Sequence, residues 1–145
     1  MPVVSYASVS ESPPLVAVAC APSGFTFRLI VRAGAFSLCL LDRKHSAKVE
    51  KLASTSGPAR RDKLAEAGFR HAPGKMLGVP LIRSSAASLE CTLVSRTKVG
   101  EHVLMIARVV GAVASSAFGD FWDFRKYRPI LYAGWKGGMT AYSES

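Results

Sequence analysis

Acidic residues, histidines and glycine-rich motifs are scarce in this 145-residue chain, and each shortage excludes a class of protein. Its ten Asp and Glu residues are scattered, so no pair of carboxylates is predicted for general acid and base catalysis. The three histidines lie far apart in sequence, which gives no basis for a Ser-His-Asp arrangement. Glycine-rich phosphate loops and a GxSxG turn are absent. We therefore expect neither a hydrolase nor a metalloenzyme.

Long apolar runs are missing as well. The longest candidate, residues 103–114, is shorter than the ~18–20 residues that a membrane helix needs, and Arg108 interrupts it. The N-terminus lacks the basic start and the apolar stretch of a secretory signal. The sequence therefore predicts a cytoplasmic protein with no membrane partner.

The three cysteines, Cys20, Cys39 and Cys91, form no CxxC pair and have no histidine at metal-ligand spacing. Each lies in an apolar, strand-like segment. We expect reduced, buried thiols that act as small hydrophobic residues, and no metal site.

The net charge of +9 indicates an anionic partner. Clustered Lys and Arg bind nucleic acids, but a smaller phosphorylated ligand also favours a positive field. The basic residues are spread thinly, and the densest clusters, residues 43–45 and 60–63, are short. The aromatic residues do not interleave with basic ones along one strand, as a base-stacking surface requires. A basic nucleic-acid-binding barrel is therefore the third of three hypotheses.

Hydrophobic residues, at 49% of the chain, are plentiful and suffice for one domain over residues 1–145. The first half predicts a strand over 15–20, a helix that Thr26 caps and Gly34 ends, and a strand over 36–41. Two further helices are predicted over 46–53 and 62–67.

The second half changes to a pattern typical of strands. Residues 89–94 alternate in polarity, 97–101 read as a hairpin turn, and 102–113 form the antiparallel partner. An aromatic surface segment over 119–126, a last strand over 129–132 and a flexible tail over 134–138 follow. Since regular βαβ alternation is absent, we predict a mostly-β, closed or nearly closed antiparallel barrel with short helices at its rim.

Seven segments, in order along nearly the whole chain, resemble the flavin reductase-like, FMN-binding split barrels. They are VSESPPLVAV at 9–18, FTFRLI at 25–30, AGAF at 33–36, SG at 56–57 with RDKLAEAG at 61–68, LEC at 89–91, GEH at 100–102 and YRPILY at 127–132. Each segment is weak alone, but the shared order is specific.

The resemblance implies a homodimeric split antiparallel β-barrel with FMN near the subunit boundary. Relatives reduce flavin with NAD(P)H or carry electrons as flavoredoxin-like proteins. The resemblance also implies the candidate site. The main chain of Ser5, Tyr6, Ala7 and Ser8 is expected along the flavin ring, and His102 as a catalytic residue near the nicotinamide or flavin edge. Ser23 and Thr26 at a helix start, with Lys63, are expected at the phosphate.

Every one of these residues also has a purely structural interpretation. Thr26 is a preferred helix cap, Ser23 a common turn residue, and Lys63 a typical solvated charge. Ser5 and Ser8 can be ordinary polar strand residues, and His102 an inert hairpin histidine. For Trp122 and Trp135, packing is favoured over flavin cover.

Two departures from the family pattern concern the flavin site. Relatives begin with a further strand and an N-x-M turn, and Met1 falls where the Met of that turn lies. The first barrel strand is thus expected to be missing. Cys39 stands where relatives often carry Asn. The alternative hypothesis is therefore a degenerate split barrel that has lost flavin and serves as an interaction protein.

Overall fold

The computed structural model describes residues 1–3, 5–55, 62–116, 118, 123–132 and 139–141. The predictions for Trp122, Trp135, the pair Ser56–Gly57 and the tail over 134–138 lie outside these residues. The elements in chain order are β1 (Tyr6–Ser10), β2 (Leu15–Cys20), α1 (Phe25–Ala33), β3 (Ala35–Leu40), a 3₁₀ turn (Arg43–His45), α2 (Ser46–Ser54), α3 (Lys63–Glu66), β4 (His71–Pro73), β5 (Pro80–Ile82), β6 (Ala87–Val99), β7 (His102–Ala114), β8 (Ile130–Tyr132) and β9 (Met139–Ala141).

One five-stranded antiparallel sheet, in the order β1-β2-β7-β6-β3, forms the body of the molecule. Strands β6 and β7 are its longest members and pair from Ala87↔Ala114 to Val99↔His102. Strands β4 and β5 form a separate hairpin, and β8 pairs with β9. The predicted mostly-β antiparallel fold with short helices is confirmed.

The main core lies on one face of this sheet, because alternate side chains of a strand project to opposite sides. Val18 and Cys20 of β2 pack with Met105 of β7, and helix α1 covers them with Ile30. A smaller cluster of Val16, Cys91 and Ala107 continues the same layer. The predicted burial of Cys20 and Cys91 is confirmed, whereas Cys39 is half-buried.

A second apolar cluster joins the two later helices to the β4–β5 hairpin. Val49 and Leu52 of α2 pack with Phe69 and with Ile82 of β5, and Cys39 of β3 borders the cluster. The Lys48 ammonium donates to the Gly68 carbonyl at 2.7 Å and lies over the Phe69 ring. These helices therefore lie against β3, at one edge of the sheet.

The segment before β8 links the two edges of the sheet. Asp42, two residues after β3, accepts a hydrogen bond from the Arg128 backbone N–H at 3.0 Å and forms a β-bridge with Pro129. Tyr127 is buried, and this burial raises its pKa to about 12, with further contributions from the nearby Tyr6 of β1 and from Asp42. Tyr6 of edge strand β1 and Asp42, which follows edge strand β3, thus both lie near the segment before β8.

The predicted strands over 15–20, 36–41, 102–113 and 129–132 and the helix over 46–53 are confirmed within one or two residues. The prediction that Thr26 caps α1 is wrong: the helix begins at Phe25, and Gly24 is its N-cap residue. Gly34 ends the helix as predicted, since its φ of 66° suits glycine. The predicted turn over 97–101 is shorter, because β6 continues to Val99.

Strand β1 and the β4–β5 hairpin were not predicted. Strand β1 pairs with β2, and its other edge pairs with no strand in the described part of the chain. Whether a further strand precedes it, as in the relatives, stays a prediction. Among the described residues, no helix is long and apolar enough to cross a membrane.

Candidate functional site

A cleft of about 290 Å³ lies on the face of the sheet opposite the main core. Ser5 and Ala19 form one side of it, and Val99, His102 and Leu104 form the other. We call it the His102 cleft. It brings together two residues, Ser5 and His102, that the sequence places almost a hundred positions apart.

The strand pairing explains why these side chains share one surface. Residues directly opposite each other in an antiparallel pair project to the same side. Ala19 is opposite Leu104 and Val99 is opposite His102, while the Ser5 carbonyl accepts the Ala19 N–H at 3.2 Å. An extra residue in β6 between Leu93 and Ser95 shifts the register at this end of the hairpin.

The floor of the cleft continues toward the sheet edge as a surface of small side chains. Ala7 is opposite Ala17, so both lie on the same face as Ser5 and Ala19. Methyl and hydroxymethyl side chains leave the backbone of β1 and β2 close to anything placed on this face. A flat ring can therefore approach the main chain of residues 5–8.

The four expected ring-binding residues are divided between the two faces. Tyr6 and Ser8 are opposite Val18 and Val16, which face the core, and so they project away from the cleft. Burial raises the pKa of Tyr6, although part of its ring is exposed. Only the side chains of Ser5 and Ala7 therefore face the cleft; Tyr6 and Ser8 can contribute main-chain groups at the sheet edge.

His102 is the first residue of β7 and forms one wall of the cleft. Its side chain is 48% exposed, and its Nδ1 lies 3.9 Å from a carboxylate oxygen of Glu101. Because the Glu101 side chain is 89% exposed, this ion pair contributes little to stability. The imidazole is thus accessible to a molecule in the cleft.

Ser23 and Thr26 lie beside the N-terminus of α1, only a few residues beyond Ala19. Gly24 offers no side chain to cap the helix, and the first turn holds no acidic residue. The N–H groups of that turn therefore have no side-chain acceptor, which leaves a favourable position for an anion. Ser23 follows Ala19 by four residues, so the two lie at most about 14 Å apart.

Lys63, the third expected phosphate ligand, is engaged by its own chain. It is the first residue of α3, and its ammonium donates to the Thr55 carbonyl at the end of α2. Asp62 caps α3 by accepting the Ala65 N–H at 3.0 Å, and His71 Nε2 lies 2.8 Å from the other carboxylate oxygen. These contacts lower the pKa of Asp62. The ammonium of Lys63 holds α3 against α2 and would have to exchange this contact for a phosphate.

Sequence reasoning assigned no role to Glu90, which the structure shows as a buried carboxylate at the far end of β6. It accepts the Leu77 N–H at 2.8 Å and the Met76 N–H at 3.2 Å. A Cβ on Gly74 would lie 2.3 Å from the Glu90 carboxyl carbon, so a larger residue there would require the carboxylate or the loop to move. The lone acidic residue within the apolar run 87–94 is the signal that could have identified it.

The donor set at the His102 cleft fits a flavin nucleotide. The small-residue face suits an aromatic ring, and the uncapped N-terminus of α1 suits a phosphate. The cleft alone holds only part of such a ligand, because ligand sites of drug size run from about 300 to 1,000 Å³. A ligand that spans both features would extend over β1 or onto a second copy of the chain.

Comparison with known proteins agrees with this geometry. Residues 1–132 match the family model of the flavin reductase like domain. An uncharacterized protein of Aeropyrum pernix is 33% identical over 130 residues, which are 89% of this chain and 49% of that protein. A probable flavin reductase of Rhizobium meliloti is 30% identical over 105 residues, 72% of this chain and 32% of the relative. The chain thus spans half or less of the length of these two relatives.

A solved structure extends the similarity to nearly the whole chain. The FMN-binding protein from Thermus thermophilus, crystallised with bound p-hydroxybenzaldehyde, is 29% identical and superposes with a TM-score of 0.82. The match covers 99% of this chain and 78% of the Thermus protein. The split-barrel fold expected from the sequence is therefore confirmed.

Proposed function

The chain belongs to the flavin reductase-like family, and from this premise we propose that it binds FMN and acts as a flavin reductase or a flavoredoxin-like electron carrier. Bound FMN would supply the chemistry by accepting and releasing electrons. The residues of the chain bind it, orient it and exchange protons at its edge.

Two observations support this proposal: the His102 cleft, and the uncapped N-terminus of α1, which follows strand β2 after a short turn. Ser5, Ala7, Ala17 and Ala19 offer a face with little side-chain volume, suited to the flavin ring. The N–H groups at the start of α1, with the hydroxyls of Ser23 and Thr26, offer an anion site for the phosphate. Strand β2 connects the two features directly.

His102 is the residue we propose for proton exchange during electron transfer. Its imidazole forms a wall of the cleft, is half exposed and has only a weak contact to Glu101. A neutral imidazole donates from one nitrogen and accepts at the other. NAD(P)H is the proposed transient electron donor.

A second copy of the chain is the proposed partner, with the cleft face as the interface. The outer face near the cleft carries apolar residues that are only half-buried, such as Leu104 and Ile106, together with the exposed Val99. A second copy would cover this surface and enlarge the cleft. We expect the protein in the cytoplasm, since its three cysteines are unpaired.

An absorbance spectrum of the purified protein tests the cofactor proposal. The protein is expected to be yellow, or to quench FMN fluorescence at micromolar concentration, and to oxidise NADH or NADPH when FMN is added. A colourless protein that leaves FMN fluorescence unchanged would refute the proposal. Light scattering of the same preparation tests the proposed partner and should give the mass of two copies of the chain.

The second hypothesis, a barrel without flavin that serves in protein interaction, is favoured by one contact. The Lys63 ammonium is bound to the Thr55 carbonyl and so is not free for a phosphate. This hypothesis predicts a dimer with no affinity for FMN. Neither the parent protein nor the Lys63→Gln variant would then quench FMN fluorescence. A nucleic-acid-binding barrel remains the third hypothesis and requires salt-dependent retention of DNA or RNA.

A further inference from the structure

The two buried side-chain polar atoms that lack a hydrogen bond in the described part of the chain lie around one turn. They are Nε2 of His45 and Oγ of Ser85. The Ser84 backbone is close enough to the His45 ring to oppose the lowering of its pKa, so the His45 ring lies beside the connection between β5 and β6 to which Ser85 belongs. Buried polar atoms nearly always have a partner in the protein, in water or in a ligand. These two atoms therefore have no hydrogen-bond partner within the described part of the chain and are available to a bound molecule.

The same turn borders a second cleft, of about 320 Å³, which we call the hairpin cleft. Ala72 and Leu81 of the β4–β5 hairpin form one wall, and Val113 of β7 forms the other. Arg83 and Ser85 lie at the turn between them. This volume is at the lower end of the range for small-molecule sites.

The chemistry of the hairpin cleft is that of an apolar slot with one cation at its rim. Val113 is 61% exposed and offers an apolar contact surface within the cleft. Arg83 is exposed, and its guanidinium forms no ion pair with the residues described. A free guanidinium beside an apolar slot fits a carboxylate that is attached to a hydrophobic body.

We propose that the hairpin cleft binds a small amphipathic carboxylate, of the size of a substituted benzoate. Its carboxylate pairs with Arg83, its apolar body covers Val113 and Leu81, and the Ser85 hydroxyl turns to donate to it.

This site is separate from the proposed flavin site and does not depend on it. Ser88 lines the hairpin cleft and Val99 lines the His102 cleft, eleven residues apart on β6. At about 3.3 Å per residue, they are separated by on the order of 30 Å along the strand. A ligand in the hairpin cleft therefore cannot touch a flavin bound by the same chain at the His102 cleft.

Titration of the ¹⁵N-labelled protein with benzoate, followed by backbone amide chemical shifts, tests the proposal. Shifts are expected at Ala72, Ser85 and Val113 but not at His102. The Arg83→Gln variant should bind benzoate at least fivefold more weakly. Arg70→Gln is the matched control, since Arg70 is an exposed arginine near Arg83 that does not line the hairpin cleft, and the affinity of this variant should equal that of the parent. Benzyl alcohol, which lacks the charge, should bind as weakly to the parent as benzoate binds to the Arg83→Gln variant.

The Ser85→Ala variant separates a binding role from a structural one. Because the hydroxyl has no partner in the chain, its removal should leave the melting temperature unchanged or slightly higher. Benzoate affinity should fall two- to threefold. A clear loss of melting temperature would show that the hydroxyl is bound within the fold. Three results would each overturn the proposal: a clear loss of melting temperature in Ser85→Ala, chemical-shift changes with benzoate outside the cleft, or equal losses of benzoate affinity in the Arg83 and Arg70 variants.

Discussion

The two ends of the β6–β7 hairpin differ in what lies on their outer face. At one end, the β4–β5 hairpin covers the sheet, and the Glu90 carboxylate binds the loop between its two strands through two backbone N–H groups. At the other end, Val99 and His102 face an open cleft. The same pair of strands thus supplies a packed anchor at one end and a binding surface at the other.

The burial of residues along β6 shows the same difference. Its first half carries Ser88, Glu90 and Cys91, all buried, whereas every residue from Val94 to Val99 is exposed. We therefore expect stability and the proposed flavin binding to be divided along one element. Substitutions that remove the Glu90 anchor at the covered end should change the free energy of unfolding, and substitutions at the open end should change flavin binding.

The largest expected effect is at Glu90. Glu90→Ala would leave the partly buried N–H groups of Met76 and Leu77 without their acceptor and would open a cavity in place of the buried Glu90 side chain, at a cost of about 2–4 kcal/mol. Urea unfolding followed by circular dichroism measures the loss. Glu101→Ala, at the exposed turn of the open end, is the control and should stay within about 0.5 kcal/mol of the parent. Equal effects at both ends would remove the distinction.

Gly74→Ala tests the same anchor from its other side. The added Cβ would meet the Glu90 carboxyl carbon at 2.3 Å, so the loop or the carboxylate must move. Overpacking of this kind costs about 1–3 kcal/mol. Lys75→Ala, at the exposed neighbouring residue, should be nearly neutral by the same urea measurement. A stable Gly74→Ala protein would show that the loop is loosely held.

His45, behind the covered end, should make stability depend on pH. Burial lowers its pKa from the usual 6.5, and the charges of Lys44 and Lys48 lower it further. Its contribution to stability is therefore complete above the unfolded pKa and is lost as pH falls through the folded pKa. Thermal melts between pH 7.5 and 5 should show less acid destabilisation in His45→Gln than in the parent. Parallel curves would contradict this assignment.

His102→Gln should have the smallest effect on stability, within about 0.5 kcal/mol, because the side chain is half exposed. Its effect should instead fall on turnover: loss of the proposed proton exchange lowers NADH oxidation with added FMN by roughly 10²-fold. Steady-state rates with FMN binding measured in parallel separate the two roles. Unchanged rates would leave His102 without the proposed function.

The strands of the main core were predictable because their residue pattern matches their environment. Leu15–Cys20 is apolar throughout, and the run in β7 is long, so both read directly as strands. Within the described residues, the start of α1 was misplaced by sequence reasoning because Thr is a better cap than Gly, yet the turn before Phe25 fixes Gly24 at the cap position.

The β4–β5 hairpin was not predictable, and the candidate site was predictable only in part. The three-residue strands of the hairpin contain Pro73 and Pro80 and show no alternation of polarity. They are held by contacts from elsewhere in the chain, such as the hydrogen bond that the Ser37 hydroxyl donates to the Pro80 carbonyl at 2.6 Å. Ser5 and His102 were named from resemblance, but only the strand register shows that they share a cleft. The contact of Lys63 with Thr55 has no signature in sequence.

The most direct test of the division along β6 is a titration of the ¹⁵N-labelled protein with FMN, followed by backbone amide chemical shifts. We expect shifts at Ser5, Ala19, His102 and the first turn of α1, with the amides of Met76, Leu77 and Glu90 unmoved. No shifts at micromolar FMN, or shifts centred on the Glu90 loop, would contradict the account.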